Sequence, residues 1–261
     1  MAGPDASDEL PEFGEGHYWE THYEKAAEEG ENLYDWLVGW TELRWLLEPL
    51  MGFDTRRAVL HLGSGNSPLP EDMYDAGYHH QTAVDISEVV TKQMSERNQA
   101  SRPEIQWRAA DCRNMAEICS ESFPLVVDKS TLDAFFCNDQ HALAIAEFIK
   151  EAFRVTSVGG AFISVSMHRP PAVLPWLQHH AFRWTVQAVP IDKPRPESSG
   201  RPGRCHCHAY ICGNKRRTAA SLEKHWLRLA HRVREHPDSD LSGSDFDASS
   251  DSDSQDGEAE L

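Results

Sequence analysis

The sequence predicts an α/β fold: a mostly parallel seven-stranded sheet with helices on its faces and an antiparallel hairpin at one edge. Three observations carry this. From Ala58 to Val165, short apolar runs alternate with helical patterns, and that β-α-β order implies parallel strands with right-handed crossovers. The first run ends in Gly63-Ser64-Gly65, a tight turn that glycine permits. Two late extended stretches, Phe182 to Val189 and Cys205 to Cys212, have only a loop between them, which suits a hairpin.

The elements follow in order. Tyr18, Trp19 and Tyr23 open a helix, and Trp19 and Tyr23, four apart, share one face. Ala58 to Leu62 is the first strand, and Leu69 to Ala76 the helix after its turn. Gln81 to Val84 is the second strand, ending at Asp85, with Ser87 as the N-cap of a helix reaching about Asn98. Ile105 to Arg108 is the third strand, ending before Asp111. Leu125 to Val127 is the fourth, ending at Asp128. Leu143 to Val155 has apolar residues at helical spacing. Gly159-Gly160 is expected to break that helix, ahead of a fifth strand over Ala161 to Val165. Pro190 to Arg204, rich in Pro, Arg, Ser and Gly, reads as a loop insertion between the two late strands.

Composition sets the frame. The chain has 261 residues, 40 % of them hydrophobic, and a net charge of −17. That suffices for one core of about 200 residues with tails. Residues 1–16 read as a disordered acidic N-terminus, 17–215 as the domain, 216–236 as a basic helix and 237–261 as a disordered tail. The nine acids from Asp238 to Glu260, with no Lys or Arg among them, account for just over half of the net charge. Such a stretch cannot bury enough apolar surface to fold. Its serines, Ser244, Ser249, Ser250, Ser252 and Ser254, suit either an acid-directed kinase or a plain solubilising role. An acidic body is a poor partner for nucleic acid and a better one for a basic protein. No apolar run is long enough to span a bilayer, and no signal-peptide pattern opens the chain. A cytoplasmic protein, also at home in the nucleus and monomeric, is the expectation.

In an open α/β sheet, ligands bind at the carboxyl ends of the strands. Here those ends carry a set with a chemical sense. Gly63 and Gly65 let the backbone approach a ligand. Asp85, about 20 residues on, can accept both hydroxyls of a ribose. Asp111 can reach an adenine amino group, and Cys112 can offer its backbone N–H to the ring. Asp128 and Lys129 end the fourth strand, near where a reactive group would lie. A dinucleotide site would want a third glycine and a helix N-terminus for its pyrophosphate, but Pro68 stands at that third position. S-adenosylmethionine has no phosphate and needs neither. The aromatics Trp19, Tyr23, Trp36 and Trp40 suit a cation–π wall over its sulfonium, or simply a packed lid.

Four stretches carry a family resemblance: Tyr18-Trp19-Glu20-Thr21-His22-Tyr23, Tyr34-Asp35-Trp36, Leu62-Gly63-Ser64-Gly65-Asn66-Ser67 and Asp128-Lys129-Ser130-Thr131-Leu132-Asp133-Ala134. On these, between about His17 and Asn214, the chain resembles the class I methyltransferases that modify lysines of translation elongation factor 1 alpha. These are the methyltransferase-like 13 group, which includes the endothelin-converting-enzyme-2 region type. The resemblance implies a Rossmann-like class I methyltransferase fold, S-adenosyl-L-methionine as cofactor, and a protein-lysine N-methyltransferase acting on a basic factor such as elongation factor 1 alpha. It implies cofactor contacts at Trp19, Tyr23, Trp36, Gly63, Asp85, Ile86, Asp111, Cys112 and Lys129; the glycine turn adds Gly65. Ser130 stands where the family motif has glycine, Ser64 where cysteine is frequent, and His61 where many class I enzymes carry an acid.

Methyl transfer needs an amine without its extra proton, aligned with the methyl carbon. Asp133 is the candidate for orienting the amine, with Asp128 second; a turn-capping role for either is the alternative. A small-molecule methyltransferase and a non-catalytic cofactor-binding scaffold are the rival functions. No metal is expected. Cys205-His206-Cys207-His208 alternates across a strand, so no single tetrahedral site forms. The pairs His79-His80 and His179-His180 read as loop or edge residues, and the six cysteines do not form a disulfide framework.

Overall fold

The computed structural model describes residues 13–30, 33–137, 141–193 and 205–216. The expected basic helix beyond Arg216, the acidic tail and the first twelve residues lie outside the described residues. Among the described residues fourteen elements follow one another: α1 (Gly16–Glu28), α2 (Trp40–Leu50), β1 (Val59–Leu62), α3 (Leu69–Asp75), β2 (Gln81–Asp85), α4 (Glu88–Asn98), β3 (Gln106–Ala109), β4 (Phe123–Lys129), α5 (Thr131–Phe136), α6 (His141–Val155), β5 (Thr156–Ser166), α7 (Pro170–Leu177), β6 (Thr185–Lys193) and β7 (Cys205–Gly213).

The strands form one seven-stranded sheet in the order β3-β2-β1-β4-β5-β7-β6. Neighbours from β3 to β5 pair in parallel. β7 runs against both β5 and β6, so it alone is reversed and β6 takes the edge. The order reverses at β1, which places the crevice of an open α/β sheet at the carboxyl ends of β1, β2 and β4.

Strand alternation divides the interior in two. Leu60, Leu62, Val84, Val126, Phe162 and Tyr210 pack with α5, α6 and α7 on one face. Val59, Leu125, Val127, Ile163, Val165 and Ala209 pack with α2 and α3 on the other. β1 and β2 are buried along their whole length, as expected of parallel strands covered on both faces. A third, smaller cluster joins Tyr23 of α1 to Val90 and Met94 of α4, with Trp19, Leu33 and Trp107 against it. Ser87 caps α4 through its hydroxyl, which accepts the Val90 N–H at 3.2 Å.

The structure revises three sequence expectations. Gly159-Gly160 does not break the helix. α6 ends at Val155, and β5 begins at Thr156, whose hydroxyl donates to the Ala152 carbonyl at 2.6 Å. The glycines lie inside β5, opposite a register shift between Phe123 and Leu125. Gly159 has φ +73°, and a Cβ on Gly160 would sit 2.7 Å from the Pro124 carbonyl oxygen. The expected loop over Pro190 to Arg204 yields its first four residues to β6. Pro190, which has no N–H, is tolerated opposite His208 because β6 is an edge strand. Phe182 and Trp184 lie ahead of β6 rather than in it, with their rings packed on Phe153 at 5.4 and 5.0 Å between centroids.

Candidate active site

At the carboxyl ends of β1, β2 and β4 lies a cavity of about 300 Å³. Its floor begins with the turn after β1, where Gly63 and Gly65 have φ +57° and +51°. The room beside these glycines is taken by protein. A Cβ on Gly63 would run into Thr131, and one on Gly65 would meet the Tyr23 hydroxyl. The Thr131 hydroxyl donates to the carbonyls of Leu62 at 2.9 Å and Gly63 at 3.3 Å, joining the turn to the start of α5.

Asp85, at the end of β2, is buried and faces the cavity. Its Oδ2 accepts the Gly65 N–H at 2.7 Å and its Oδ1 the Ser87 N–H at 3.0 Å. Burial pushes its carboxyl up to about 6, against the pull of those N–H donors. Beyond β3, Asp111 and Cys112 line the next stretch of wall. The Asp111 carboxylate is engaged by Arg113, which donates through its backbone N–H at 2.8 Å and its guanidinium at 2.8 to 3.0 Å. That pairing holds the carboxylate beside its own loop and leaves it a smaller share of free acceptor positions. His61 of β1 is buried against the Gln81 carboxamide, 2.7 Å away. Burial depresses its pKa to about 4, so it is a neutral wall residue at pH 7.

The roof comes from chain ahead of the sheet. Trp19 and Tyr23 stack at 5.9 Å between centroids, and Trp36 meets Trp19 edge-on at 6.1 Å. The Trp19 indole N–H donates to the Phe13 carbonyl at 2.6 Å, so Phe13 and Gly14 join the lining, just ahead of where the domain was expected to begin. The segment at Tyr34 is tied down by its N–H to the Asn66 carbonyl at 3.2 Å. Asp35 then forms an ion pair with the Lys129 ammonium and accepts the Ser67 hydroxyl at 3.3 Å. The pair spans from roof to floor.

The end of β4 and the helix α5 after it carry two acids with different fates. Asp128 is fully buried beneath the cavity and does not line it. Its Oδ1 accepts the N–H groups of Thr131 at 3.0 Å and Leu132 at 3.4 Å, and its Oδ2 accepts the Ser164 hydroxyl at 2.6 Å. It caps α5, and burial raises its carboxyl to about 7. The expectation that Asp128 reaches the reacting groups is therefore corrected, because it has no face on the cavity. Between them, Ser130 adopts φ +72°. A glycine is at ease in that left-handed conformation, which explains the glycine of the resembling motif. Asp133 does line the cavity.

A family model described as "Methyltransferase domain" matches residues 59–160, the span from β1 into β5. A zebrafish (Danio rerio) protein named "eEF1A lysine and N-terminal methyltransferase" is 32 % identical over 188 residues, which are 72 % of this chain and 26 % of that protein. A mouse (Mus musculus) protein named "EEF1A lysine methyltransferase 4" is 29 % identical over 230 residues, 84 % of each chain. Residues 59–160 carry a methyltransferase domain. The chain spans about a quarter of the length of the larger relatives and most of the smaller one. Among solved structures, a Burkholderia thailandensis 1,6-didemethyltoxoflavin-N1-methyltransferase shares the fold, with a TM-score of 0.57 and 15 % identity over 83 % of this chain and 94 % of that one.

The ten expected cofactor residues, Trp19, Tyr23, Trp36, Gly63, Gly65, Asp85, Ile86, Asp111, Cys112 and Lys129, all line this cavity. Sequence reasoning passed over Phe13, Asp35, Thr131 and Met167. Asp35 and Thr131 are within reach of the sequence, since both sit inside stretches that carry the resemblance; Phe13 and Met167 depend on how the chain folds back. On β7, Cys207 packs with the α2–α3 face, while Tyr210 and Cys212 pack on the other, as strand alternation requires.

Proposed function

We propose that the protein binds S-adenosyl-L-methionine in this cavity and methylates a lysine amine of a basic protein, elongation factor 1 alpha being the candidate that its relatives' names suggest. The observation that carries the reading is the cavity's two-sided build: an acidic, hydroxyl-accepting floor at Asp85 and an aromatic roof at Trp19, Tyr23 and Trp36. The residues fit the cofactor. The Ser64 hydroxyl in the glycine turn is buried on the lining without a hydrogen-bond partner among the described residues, as a group that serves a ligand would be. Asp85 has one backbone donor on each oxygen, and an ionised carboxylate has about four acceptor positions. Two remain for the hydroxyls of a sugar. When bound, the cofactor supplies a methyl group made electrophilic by the sulfonium.

The protein's own share is alignment and exclusion of water. Electron-rich faces at Trp19 and Trp36 suit positive charge, and the stack of Trp19 on Tyr23 helps to exclude water beneath it. Burying the amine lowers its proton affinity, because desolvation disfavours the ammonium. The net charge of −17 supports a basic partner. The test is transfer of a tritiated methyl group from the cofactor to purified elongation factor 1 alpha and to cell lysate, with Asp85→Ala as control. A labelled protein band that Asp85→Ala abolishes is expected. Label confined to low-mass products would overturn the protein acceptor. Calorimetry showing no binding of S-adenosylhomocysteine would overturn the cofactor.

A further inference from the structure

Beyond the cofactor residues, the cavity wall is finished by Ala134, Cys137 and Met167. Met167 is 57 % exposed, so this part of the wall is a rim open to solvent. Cys137 is exposed as well. His168, which follows Met167 in the chain, is not itself part of the lining; its ring is 31 % exposed and sits against Asp133, which is.

That ring is held from several sides. Its Nδ1 lies 2.9 Å from Asp133 Oδ1. Its plane stacks on Phe136 at 4.5 Å between centroids and 26°. Its backbone N–H donates to the Ser166 hydroxyl oxygen at 3.0 Å, and its carbonyl accepts the Tyr210 hydroxyl at 2.6 Å. No described residue is hydrogen-bonded to its Nε2.

Asp133 itself is fully engaged. Its carboxylate accepts the Ser166 hydroxyl, the Met167 N–H at 3.1 Å and the Ser130 hydroxyl at 3.3 Å, as well as the His168 ring. Those four donors match the roughly four acceptor positions of a carboxylate. An incoming amine would have to displace one of them. The arrangement instead orients the imidazole. A carboxylate at Nδ1 selects the tautomer with its hydrogen there and leaves the Nε2 lone pair as a base.

We propose that Nε2 of His168 accepts the proton of the incoming lysine ammonium, and that Asp133 is a positioning residue acting through it. The proposal rests on the methyl-transfer reading above. A lysine side chain has a reference pKa of about 10.4, so at pH 7 roughly one in 2,500 is the free amine. In the step, one ammonium N–H bond breaks, the proton passes to Nε2, and the electron pair stays on nitrogen as the nucleophile. The imidazolium then returns the proton to water through its exposed edge. Asp133 pairs with this ring and the Tyr210 hydroxyl with its backbone carbonyl, while Cys137 after α5, His208 on β7 and Arg169 are the other titratable or charged groups on the adjoining segments. The Cys137 thiol donates to the Asp133 carbonyl, and His208 stands in register with Ser166.

The experiment compares the wild-type chain with His168→Gln and His168→Ala, using purified elongation factor 1 alpha as acceptor. Both variants are expected to bind S-adenosylhomocysteine within twofold of wild type by calorimetry, which shows the fold and the cofactor site intact. At pH 7, kcat falls about 10²-fold, the usual share of a general base. The deficit narrows by up to tenfold per pH unit towards pH 10, as solvent removes the proton instead. Added imidazole restores part of the His168→Ala rate. Independently of turnover, nitrogen-15 spectra of the histidines show the Nδ1–H tautomer at His168, and Asp133→Asn loses it. A deficit equal at every pH, with no imidazole rescue, would make His168 structural and overturn the proposal, as would variants that match wild type. If the wild-type chain labels no protein at all, the methyl-transfer reading falls and this proposal with it. A labelled protein with unaffected variants sinks only the present one.

Discussion

Replacing Asp85 by Asn probes the floor of the site with little change in shape. The carboxylate now accepts the Gly65 and Ser87 N–H groups at 2.7 and 3.0 Å, one on each oxygen. An amide keeps one oxygen and turns the other into a donor. It therefore loses one hydroxyl acceptor and opposes one of the backbone N–H groups. A hydrogen bond to a charged group contributes about 1.5–3 kcal/mol. The expected result is a Kd for S-adenosylhomocysteine about 10²-fold weaker, near 2.7 kcal/mol. The pH dependence sharpens the test. Burial raises the Asp85 carboxyl to about 6 in the free protein. Hydroxyls that donate to it favour its ionised form, so the complex holds fewer protons than the free protein. Affinity then falls as the pH drops below 6, by up to tenfold per unit, and is flat above it. Asp85→Asn has no proton to exchange and loses that slope. Calorimetry at pH 5, 6, 7 and 8 reads both quantities, with thermal melts confirming that the variant folds. A variant within twofold of wild type, or one with the wild-type slope, would refute the assignment of Asp85.

Three further outcomes follow from the same structure. Trp19→Ala removes a ring of the roof, and a cation–π contribution of about 1–2 kcal/mol predicts that S-adenosylmethionine loses roughly 5- to 30-fold more affinity than its neutral product; equal losses in calorimetry would leave Trp19 as packing alone. Gly63→Ala puts a Cβ against Thr131 at φ +57°. With about 1–2 kcal/mol for the left-handed backbone plus the collision, a Tm lower by about 5–10 °C is expected in calorimetric scans, and an unchanged Tm contradicts the account. Lys215 donates to the Thr156 carbonyl and lies over the Phe153 ring at 4.6 Å. Burial lowers its pKa to about 8. Between pH 8 and its unfolded value near 10.4, the unfolded chain holds the extra proton, so this group makes stability climb with pH. Denaturant melts at pH 7.5, 9 and 10 should show Lys215→Met lacking that increment, and identical slopes would count against it.

The sequence revealed the sheet's parallel half because each signal there is local. β1 is a short, mostly apolar run closed by a glycine turn, β2 ends at Asp85, and Ser87 caps the next helix through its own side chain. The floor of the site was legible for the same reason, since it follows directly from strand ends. What stayed hidden depends on distant partners. Gly159-Gly160 resembles a helix breaker until Phe123 and Leu125 of β4 are seen to shift register beside it. Pro190 reads as loop until β7 inserts between β5 and β6 and leaves it on an edge. Asp128 and Asp133 are indistinguishable in one dimension. Ser164 and the start of α5 enclose the first, while Ser166 and His168, more than thirty residues on, engage the second.

The division between roof and floor bears on how a ligand comes and goes. The floor is continuous with the two large interior clusters, so it moves only when the domain unfolds. The covering helix α1 is attached through a much smaller cluster at Tyr23, Val90 and Met94, and the adjoining strap through the Asp35–Lys129 contact. Those attachments can part while the sheet keeps its shape. The N-terminal segment is therefore expected to open more readily than the floor, and hydrogen exchange faster in α1 than in β1 and β2 would show it.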